Sequence, residues 1–183
     1  MKKGDVRRQE LLARMADHVL AAGLPGASLR PLAAAAGTSD RMLLHYFADK
    51  EELLTATLTL IAQRLVVVLD AAQPEPLPFD RLVPYLAALL QDAQIQPYLK
   101  LWLELASASA REIEPFRTVA RQILQTFLDW IGTALLVDRE DDRRPLATLA
   151  LAIIEGFVLF DALGDPTPRT LALAGLTHAG LSR

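Results

Sequence analysis

Residues 28–50, SLRPLAAAAGTSDRMLLHYFADK, form the stretch that most constrains the fold of this chain. Ser28 and Pro31 are typical of a helix start, because a serine side chain can bond an unpaired backbone N–H and proline lacks one. Gly37 predicts the end of that helix, since glycine adopts the left-handed backbone conformation at little cost. Ser39 predicts the start of a second helix. Two short helices joined by a tight glycine-containing turn are typical of a helix-turn-helix.

The predicted second helix has two chemically different faces. At about 100° per residue, Leu43 and Phe47 share one face and should point inward. Arg41 and His45 fall on the opposite face, with Met42 beside them. Arginine can pair with guanine through two bonds, and methionine can contact a thymine methyl group. The helix is therefore predicted to read DNA in the major groove.

The residues that follow suit the DNA backbone. Tyr46 lies on the flank of the second helix and could donate to a phosphate. Asp49 and Glu52 have the spacing of a capping box at the start of the next helix. Lys50 would stand at the positively polarised end of that helix, which favours a phosphate.

Over residues 11–54 the chain resembles the DNA-binding domain of TetR-family bacterial transcriptional regulators. The resemblance rests on residue types at matching spacing, namely Ser28-Leu29-Arg30, Leu32-Ala33, Ala36-Gly37, Ser39, Leu43, His45-Tyr46-Phe47 and Lys50-Glu51-Glu52-Leu53. The family usually has glycine where Arg41 stands, a small hydroxyl residue at Met42 and tyrosine at Leu44, so these positions indicate an altered operator or weaker binding. The predicted DNA-binding residues are Ser28, Arg30, Ser39, Arg41, Met42, His45, Tyr46 and Lys50.

The charge distribution fits a DNA reader with an attached regulatory part. The 183 residues carry a net charge of −3. Residues 1–50 hold eight basic and five acidic side chains, whereas the rest holds 11 basic and 17 acidic ones. A basic head on an acidic body is the expected pattern for such a protein.

Helical periodicity continues along the whole chain, and no run alternates with period two long enough for a strand. The sequence predicts an all-α protein with an N-terminal three-helix helix-turn-helix DNA-binding domain (residues 1–48). A C-terminal helical ligand-binding and dimerisation domain should follow (residues 49–183). Its linking helix, residues 49–72, would be about 35 Å long. The other predicted helices span residues 5–22, 79–93, 97–111, 114–137, 145–163 and 167 onward, with a solvated loop at 138–144.

The last two predicted helices suggest a dimer interface. Residues 146–160 are too apolar to face water, and Ala172, Gly175 and Ala179 would let another helix approach closely. The resemblance implies that these two helices of each subunit form a four-helix bundle. A two-fold homodimer would place two recognition helices on successive major grooves and so require a palindromic operator. The alternative is a hydrophobic hairpin within one chain.

Aromatic pairs in the middle of the chain suggest a ligand pocket. Tyr98 and Trp102 are four residues apart, and Phe127 and Trp130 three apart, so each pair shares one helical face. The alternative is that they are ordinary core residues. The resemblance implies a small-molecule effector, here a small apolar or aromatic one. The candidate ligand-binding residues are Tyr98, Trp102, Glu104, Arg121, Phe127 and Trp130, with Glu104 or Arg121 as the polar group.

Motifs of other function classes are missing from the sequence. There is no cysteine, the three histidines lie far apart, and HExxH, GxSxG and glycine-rich phosphate loops are absent. We therefore expect no enzyme, no metal and no cofactor. The basic start is not followed by an apolar run, and the apolar stretch 146–160 is short for a membrane span. A cytoplasmic protein with no membrane partner is expected.

Together these patterns predict a ligand-responsive DNA-binding transcriptional regulator. It should be a repressor that binds a palindromic operator on double-stranded DNA as a homodimer. The alternative is a helical small-molecule-binding or protein-interaction module with weak or lost DNA binding, which Leu44 in place of tyrosine supports.

Overall fold

The computed structural model describes residues 3–72 and 75–178, and this part of the chain is mostly helical, with turns and short loops between the helices. Leu77 and Leu135 form an isolated parallel bridge, and no strand occurs among the described residues. The all-α prediction is therefore confirmed. The helices are α1 (Lys3–Ala22), α2 (Leu29–Ala36), α3 (Asp40–Tyr46), α4 (Lys50–Ala72), α5 (Phe79–Leu89), α6 (Gln96–Ala110), α7 (Phe116–Ala134), α8 (Glu140–Ala162) and α9 (Thr167–His178), with a 3-10 turn at Leu24–Gly26.

The chain packs as two compact units. The first combines Met1–Val67 with Pro97–Ile123, and the second combines Val68–Gln96 with Leu124–Arg183. Helices α4 and α7 each contribute residues to both units. The predicted boundary after residue 48 falls inside the first unit.

The core of the first unit contains the apolar faces of α1, α2 and α3. Helix α1 packs against α2, and α2 packs against α3. Met15 and Val19 of α1 are fully buried, as are Leu32 of α2 and Leu43 of α3. Leu12 and Ala16 of α1 are buried as well, whereas Leu20 is only partly buried. Removing these large apolar side chains from water is the main force that holds the two short helices, α2 and α3, against α1.

The second unit is organised around α8, which packs against α5 and α9. Phe157 of α8 and Leu82 of α5 are buried in its core. Leu77 donates its backbone N–H to the carbonyl of Ala134 (2.9 Å), and Leu136 donates to the carbonyl of Leu77 (2.8 Å). These bonds tie the segment before α5 to the end of α7.

The prediction of a solvated loop at 138–144 is wrong, because α8 begins at Glu140. Three acidic residues, Glu140, Asp141 and Asp142, occupy its first turn, where negative charge interacts favourably with the helix dipole. A run of charges therefore marks the start of this helix rather than a loop. In the opposite direction, α5 ends at Leu89, four residues before the predicted end.

Helices α4 and α8 are each 23 residues long and apolar enough to cross a membrane by length and composition. The sequence-based expectation of no membrane span considers only residues 146–160, whereas the helix that contains them has 23 residues. Buried helices of soluble proteins pass the same test, and nearly half of the apolar window of α4 is buried inside the protein. In α8 only 28% of that window is buried, so much of its apolar surface is uncovered by the chain itself.

Candidate DNA-binding surface and ligand-binding residues

The turn between α2 and α3 has the predicted geometry. Gly37 adopts the left-handed conformation (φ 67°, ψ 39°) at the end of α2. Thr38 donates its backbone N–H to the carbonyl of Ala33 (3.0 Å), which satisfies a carbonyl at the helix end. Ser39 is the cap residue directly before α3, and its hydroxyl accepts the backbone N–H of Met42 (3.3 Å). The capping predictions for Gly37 and Ser39 are confirmed.

The start of α2 differs from the prediction at one side chain. Ser28 occupies the cap position with extended backbone (φ −108°, ψ 156°), but its hydroxyl makes no capping bond. Ser28 is exposed, so water can satisfy the free N–H groups instead. Arg30 is also exposed on the first turn of α2. Both side chains are open to solvent at the entry to the helix-turn-helix.

Helix α3 separates buried from exposed side chains as its spacing predicts. Leu43 is 0% exposed and Phe47, which ends the helix, is 1% exposed. Arg41, Met42 and His45 are all exposed. The two apolar side chains anchor the helix, so the guanidinium, thioether and imidazole are presented to solvent together.

Two further residues flank this exposed face. The ring of Tyr46 is partly buried and meets the His45 ring edge to face, with centroids 5.3 Å apart. Leu44 is 44% exposed, although the residue is apolar. Leu44 is not one of the predicted DNA contacts. The sequence draws attention to it only because the family usually has tyrosine at this position. The exposed surface of α3 thus has an apolar side chain next to its polar centre.

The start of α4 is capped by the predicted pair, Asp49 and Glu52, although one of the two bonds has a different donor. Asp49 accepts the backbone N–H of Glu52 through Oδ1 (2.8 Å), as a capping box requires. Glu52 accepts the backbone N–H of Ala48 (2.5 Å) rather than that of Asp49. Lys50 is exposed at the first position of α4. The helix end that carries Lys50 is therefore well ordered by side-chain bonds.

The candidate ligand-binding residues belong to both compact units. Tyr98 and Trp102 of α6 are partly buried, and Arg121 of α7 is exposed in the same unit. Glu104 accepts the backbone N–H of Leu24 (2.6 Å) and so caps the 3-10 turn after α1. A side chain at Gly23, where φ is +72°, would lie 2.7 Å from both Glu104 carboxylate oxygens. The carboxylate predicted to be the polar group of a pocket therefore already has a backbone partner.

In the second unit, Trp130 has the environment of a core residue. It is 8% exposed, and its indole Nε1 donates to Asp70 Oδ1 at 2.6 Å. Phe127, one turn earlier on α7, is partly buried. The indole N–H of Trp130 is consequently satisfied within the protein, and only its apolar surface remains for other contacts.

A surface cavity of about 420 Å³ lies in the second unit, between the end of α7 and the start of α8. No sequence pattern predicts this cavity, because the charged run that contributes to it is typical of a loop. Arg143 donates to the carbonyls of Gly132 (2.6 Å) and Leu135 (2.8 Å). The cavity is lined by Leu128, Asp129, Gly132, Thr133, Glu140, Arg143, Arg144 and Ala147, which include none of the six candidate ligand-binding residues.

Carboxylates at two helix starts have lowered pKa values. The hydrogen bond from Arg143 lowers the pKa of Glu140 below its ordinary value, and the guanidinium of Arg143 has a raised pKa for the same reason. A hydrogen bond from the backbone N–H of Thr167 lowers the pKa of Asp165 before α9. These groups serve the ends of helices. Within residues 3–72 and 75–178 no three histidine or carboxylate side chains come together as a metal site would need.

Comparison with known proteins identifies the family. The sequence profile of the bacterial regulatory proteins of the tetR family matches residues 16–57. The chain is 32% identical to the HTH-type transcriptional regulator BetI of Burkholderia mallei over 175 residues, which cover 92% of this chain and 89% of that protein.

Solved structures of similar fold agree. A TetR-family transcriptional regulator from Rhodococcus sp. superposes with a TM-score of 0.73 at 23% identity, over 93% of this chain and 96% of that one. The multidrug binding protein EbrR complexed with proflavin gives a TM-score of 0.65 at 24% identity, over 94% and 98% of the two chains. The exposed face of α3, the family profile and a relative matched over most of both chains lead to one conclusion: the chain belongs to the TetR family of DNA-binding transcriptional regulators and is not an enzyme.

Proposed function

We propose that this protein is a ligand-responsive repressor that binds a palindromic operator as a homodimer in the bacterial cytoplasm. The observation that carries the proposal is the exposed trio of Arg41, Met42 and His45 on α3, held outward by buried Leu43 and Phe47. Residues 1–48 would form the DNA-binding domain. Residues 49–183 would form the regulatory domain, with α4 as the link.

The eight predicted DNA contacts fall into two chemical groups. Arg41, Met42 and His45 face outward from α3 and would read base edges in the major groove. The other five, Ser28, Arg30, Ser39, Tyr46 and Lys50, lie at helix ends or on a flank and would contact the phosphate backbone.

The uncovered face of α8 supports a dimer. The helix buries one face, which includes Ala147, Ala150 and Phe157, against its own unit. The nearly opposite face is apolar and open, with Leu149 and Leu159 exposed. A Cβ atom built at Gly156, on this open face, would meet nothing within 4 Å. We infer that a second copy of α8 approaches here, because small residues allow close helix packing.

Helix α9 adds to the same interface. Leu171 is exposed, and a Cβ atom at Gly175 would also meet nothing within 4 Å. Ala179, the third small residue of the predicted contact, lies outside the described residues. Two such apolar helices from each subunit would bury each other's open faces, which accounts for the apolar composition of α8 better than exposure to water does.

The dimer can be tested together with DNA binding. Sedimentation of the protein with a duplex selected for binding should give two chains per full palindrome. A duplex that contains a single half-site should bind far more weakly. One chain per duplex, with equal affinity for the half-site, would contradict the proposal.

The regulatory domain would bind a small apolar or aromatic molecule. EbrR, a protein of similar fold, is complexed with proflavin, a planar aromatic compound. The candidate wall residues remain Tyr98, Trp102, Phe127 and Trp130, with Glu104 and Arg121 as polar neighbours.

The chain offers a direct way to test these candidates, because its only two tryptophans are Trp102 and Trp130. Titration with proflavin should quench the tryptophan fluorescence. Trp102→Phe and Trp130→Phe would show which tryptophan reports binding. The same titration can be made with other planar aromatic compounds. If proflavin or another of them binds without changing the fluorescence of either tryptophan, both residues are removed from the candidate site.

Release of DNA would follow from linkage between the two sites. If the ligand prefers a body shape in which the recognition helices are not at operator spacing, ligand and DNA weaken each other by the same factor. Helix α4 would carry this change, since it contains Lys50 at one end and Asp70, the partner of Trp130, near the other.

A second candidate function is a small-molecule-binding module with weak DNA binding, and the exposed Leu44 favours it. A leucine cannot donate to phosphate or bases, so the surface loses one polar contact. Micromolar binding to all duplexes with no preferred sequence would support this alternative.

A further inference from the structure

Arg8 of α1 contacts the elements that carry the DNA-binding residues. Its Nε donates to the carbonyl of Tyr46 at the end of α3 (3.3 Å). Its Nη2 donates to Glu52 Oε1 in the first turn of α4 (2.8 Å). Its guanidinium also lies over the ring of Phe47, 4.5 Å from the ring centroid. One side chain thus joins α1 to the end of the recognition helix and to the start of the next.

Helix α3 needs such a contact because it is short. Seven residues make fewer than two turns, and a helix of that length is not stable alone. Its last carbonyls have no partner inside the helix. A cation at that end interacts favourably with the helix dipole and with the face of an aromatic ring. Arg8 supplies both interactions with a single planar group, which a lysine could not do.

Glu52 extends the contact into the turn between α3 and α4. Its Oε1 accepts from Arg8, while its Oε2 accepts the backbone N–H of Ala48. Ala48 lies between the recognition helix and Lys50 at the start of α4. The Arg8–Glu52 pair therefore fixes the angle at which one helix leaves and the next begins.

We infer that Arg8 is a positioning residue for DNA binding, which holds α3 and the start of α4 in register without contacting DNA itself. The inference rests on the proposed DNA-binding function. Two N–H groups of Arg8 donate to other residues of the protein, its guanidinium packs on a ring of the protein, and its side chain is 31% exposed. Loss of these contacts would let α3 tilt, which would weaken every DNA contact it makes.

Arg8→Met tests the inference, and Arg7→Met is its matched control. Arg7 is the neighbouring arginine, and its ion pair with Glu10 (2.9 Å) stays within α1. With a duplex selected by the unsubstituted protein, Arg8→Met should weaken binding about tenfold, the loss expected for one charge-assisted hydrogen bond. The slope of log affinity against log salt should stay unchanged, and Arg7→Met should stay within about twofold of the unsubstituted protein.

The salt slope separates positioning from direct contact. A slope reduced by about one in Arg8→Met would show that Arg8 neutralises a phosphate, which would overturn the inference. Unchanged affinity in Arg8→Met would also overturn it, while DNA binding itself would stand. If the unsubstituted protein selects no duplex, the proposed function fails, and that outcome differs from both.

A second variant keeps the test valid if Arg8→Met unfolds. Glu52→Gln removes the charge that Arg8 pairs with but retains an acceptor for Ala48. Its affinity should fall several-fold, with faster amide hydrogen exchange in residues 47–50 and an unchanged unfolding midpoint. Where Arg8→Met folds, the double variant Arg8→Met, Glu52→Gln should bind DNA no worse than Arg8→Met alone, because both substitutions break the same ion pair. Unchanged exchange and affinity in Glu52→Gln, or additive losses, would overturn the inference.

Discussion

At the scale of single residues, the exposed surface of the helix-turn-helix offers two kinds of contact. Arg41 stands on the outward face of α3, opposite buried Leu43. Lys50 stands at the start of α4. A guanidinium on a major-groove helix can discriminate bases, whereas an ammonium at a helix start can only attract phosphate. The two side chains should therefore respond differently to the sequence of the DNA.

Arg41→Ala should weaken binding to the selected operator by about 1–3 kcal/mol and relax the preference at one base position of each half-site. The reason is the loss of a two-bond contact with guanine. Competition binding against operators altered at each position would measure it. An equal loss on all sequences would show that Arg41 contacts phosphate instead.

Lys50→Ala should weaken binding to every sequence alike and lower the salt slope by about one, because one phosphate loses its neutralising charge. Affinity measured by fluorescence anisotropy over a range of salt concentrations gives this slope. Lys100→Ala, at an exposed lysine of α6, is the control and should leave the slope unchanged. A slope unaltered in Lys50→Ala would remove Lys50 from the contacts.

Residue-level predictions succeeded where the backbone dictates the residue. Gly37 has the left-handed conformation that its position requires, and Ser39 caps α3. Ser28 has the right backbone but no capping bond, because an exposed hydroxyl can bond water equally well. The network of Arg8 was not visible, since it joins residues 38 and 44 positions apart.

At the scale of helices, periodicity located the elements and charge misled at one boundary. The run 138–144 contains the first turn of α8, where acidic residues meet the dipole and Glu140 pairs with Arg143. Arg143 also bonds two carbonyls at the end of α7. The charged run thus joins two helices, and this role depends on a fold that sequence spacing alone does not reveal.

Arg143→Met should lower the unfolding midpoint, because the carbonyls of Gly132 and Leu135 lose their donor. Arg144→Met is the matched control, since Arg144 is mostly exposed and lies 3.6 Å from Asp129. Thermal unfolding followed by circular dichroism at neutral pH compares them. Equal midpoints in the two variants would show that the carbonyls are satisfied as well by water.

The ion pair between Glu140 and Arg143 also predicts how the stability of the folded state changes with pH. Arg143 lowers the pKa of Glu140 below its ordinary value of 4.5. A lowered carboxyl pKa stabilises the folded state above the ordinary value, and that contribution is lost as pH falls through the lowered one. The midpoint difference between Glu140→Gln and the unsubstituted protein should therefore shrink as pH falls below that ordinary value. A difference that stays constant or grows as pH falls would contradict the ion-pair explanation.

At the scale of the whole molecule, the sequence predicted the class and the apolar final helices, whereas its ligand-binding residues stay a prediction. Aromatic pairs at helical spacing are compatible with either core or pocket, and the choice depends on long-range packing. Trp130 is buried and bonded to Asp70, 60 residues away. An apolar face of α8 left open within one chain was predictable, because a helix that is apolar on nearly all sides must be covered by other helices of the same chain or of a second one.

Leu159→Glu should raise the dissociation constant of the dimer by at least about tenfold, because the dimer would bury a charge on the open face of α8. Leu136→Glu is the matched control, since Leu136 is 59% exposed in the same compact unit but lies outside α8 and α9, whereas Leu159 is 50% exposed. Sedimentation equilibrium of both variants would measure the change. Equal dissociation constants would place the interface elsewhere.

The most direct test of DNA recognition is selection of bound fragments from genomic DNA by the intact protein, followed by sequencing. We expect enrichment of one motif with two inverted half-sites, whose centres are about one helical turn or more apart. The double variant Arg41→Ala, His45→Ala should not enrich it. Recovery of fragments with no common motif, or the same motif from the double variant, would contradict the role assigned to α3.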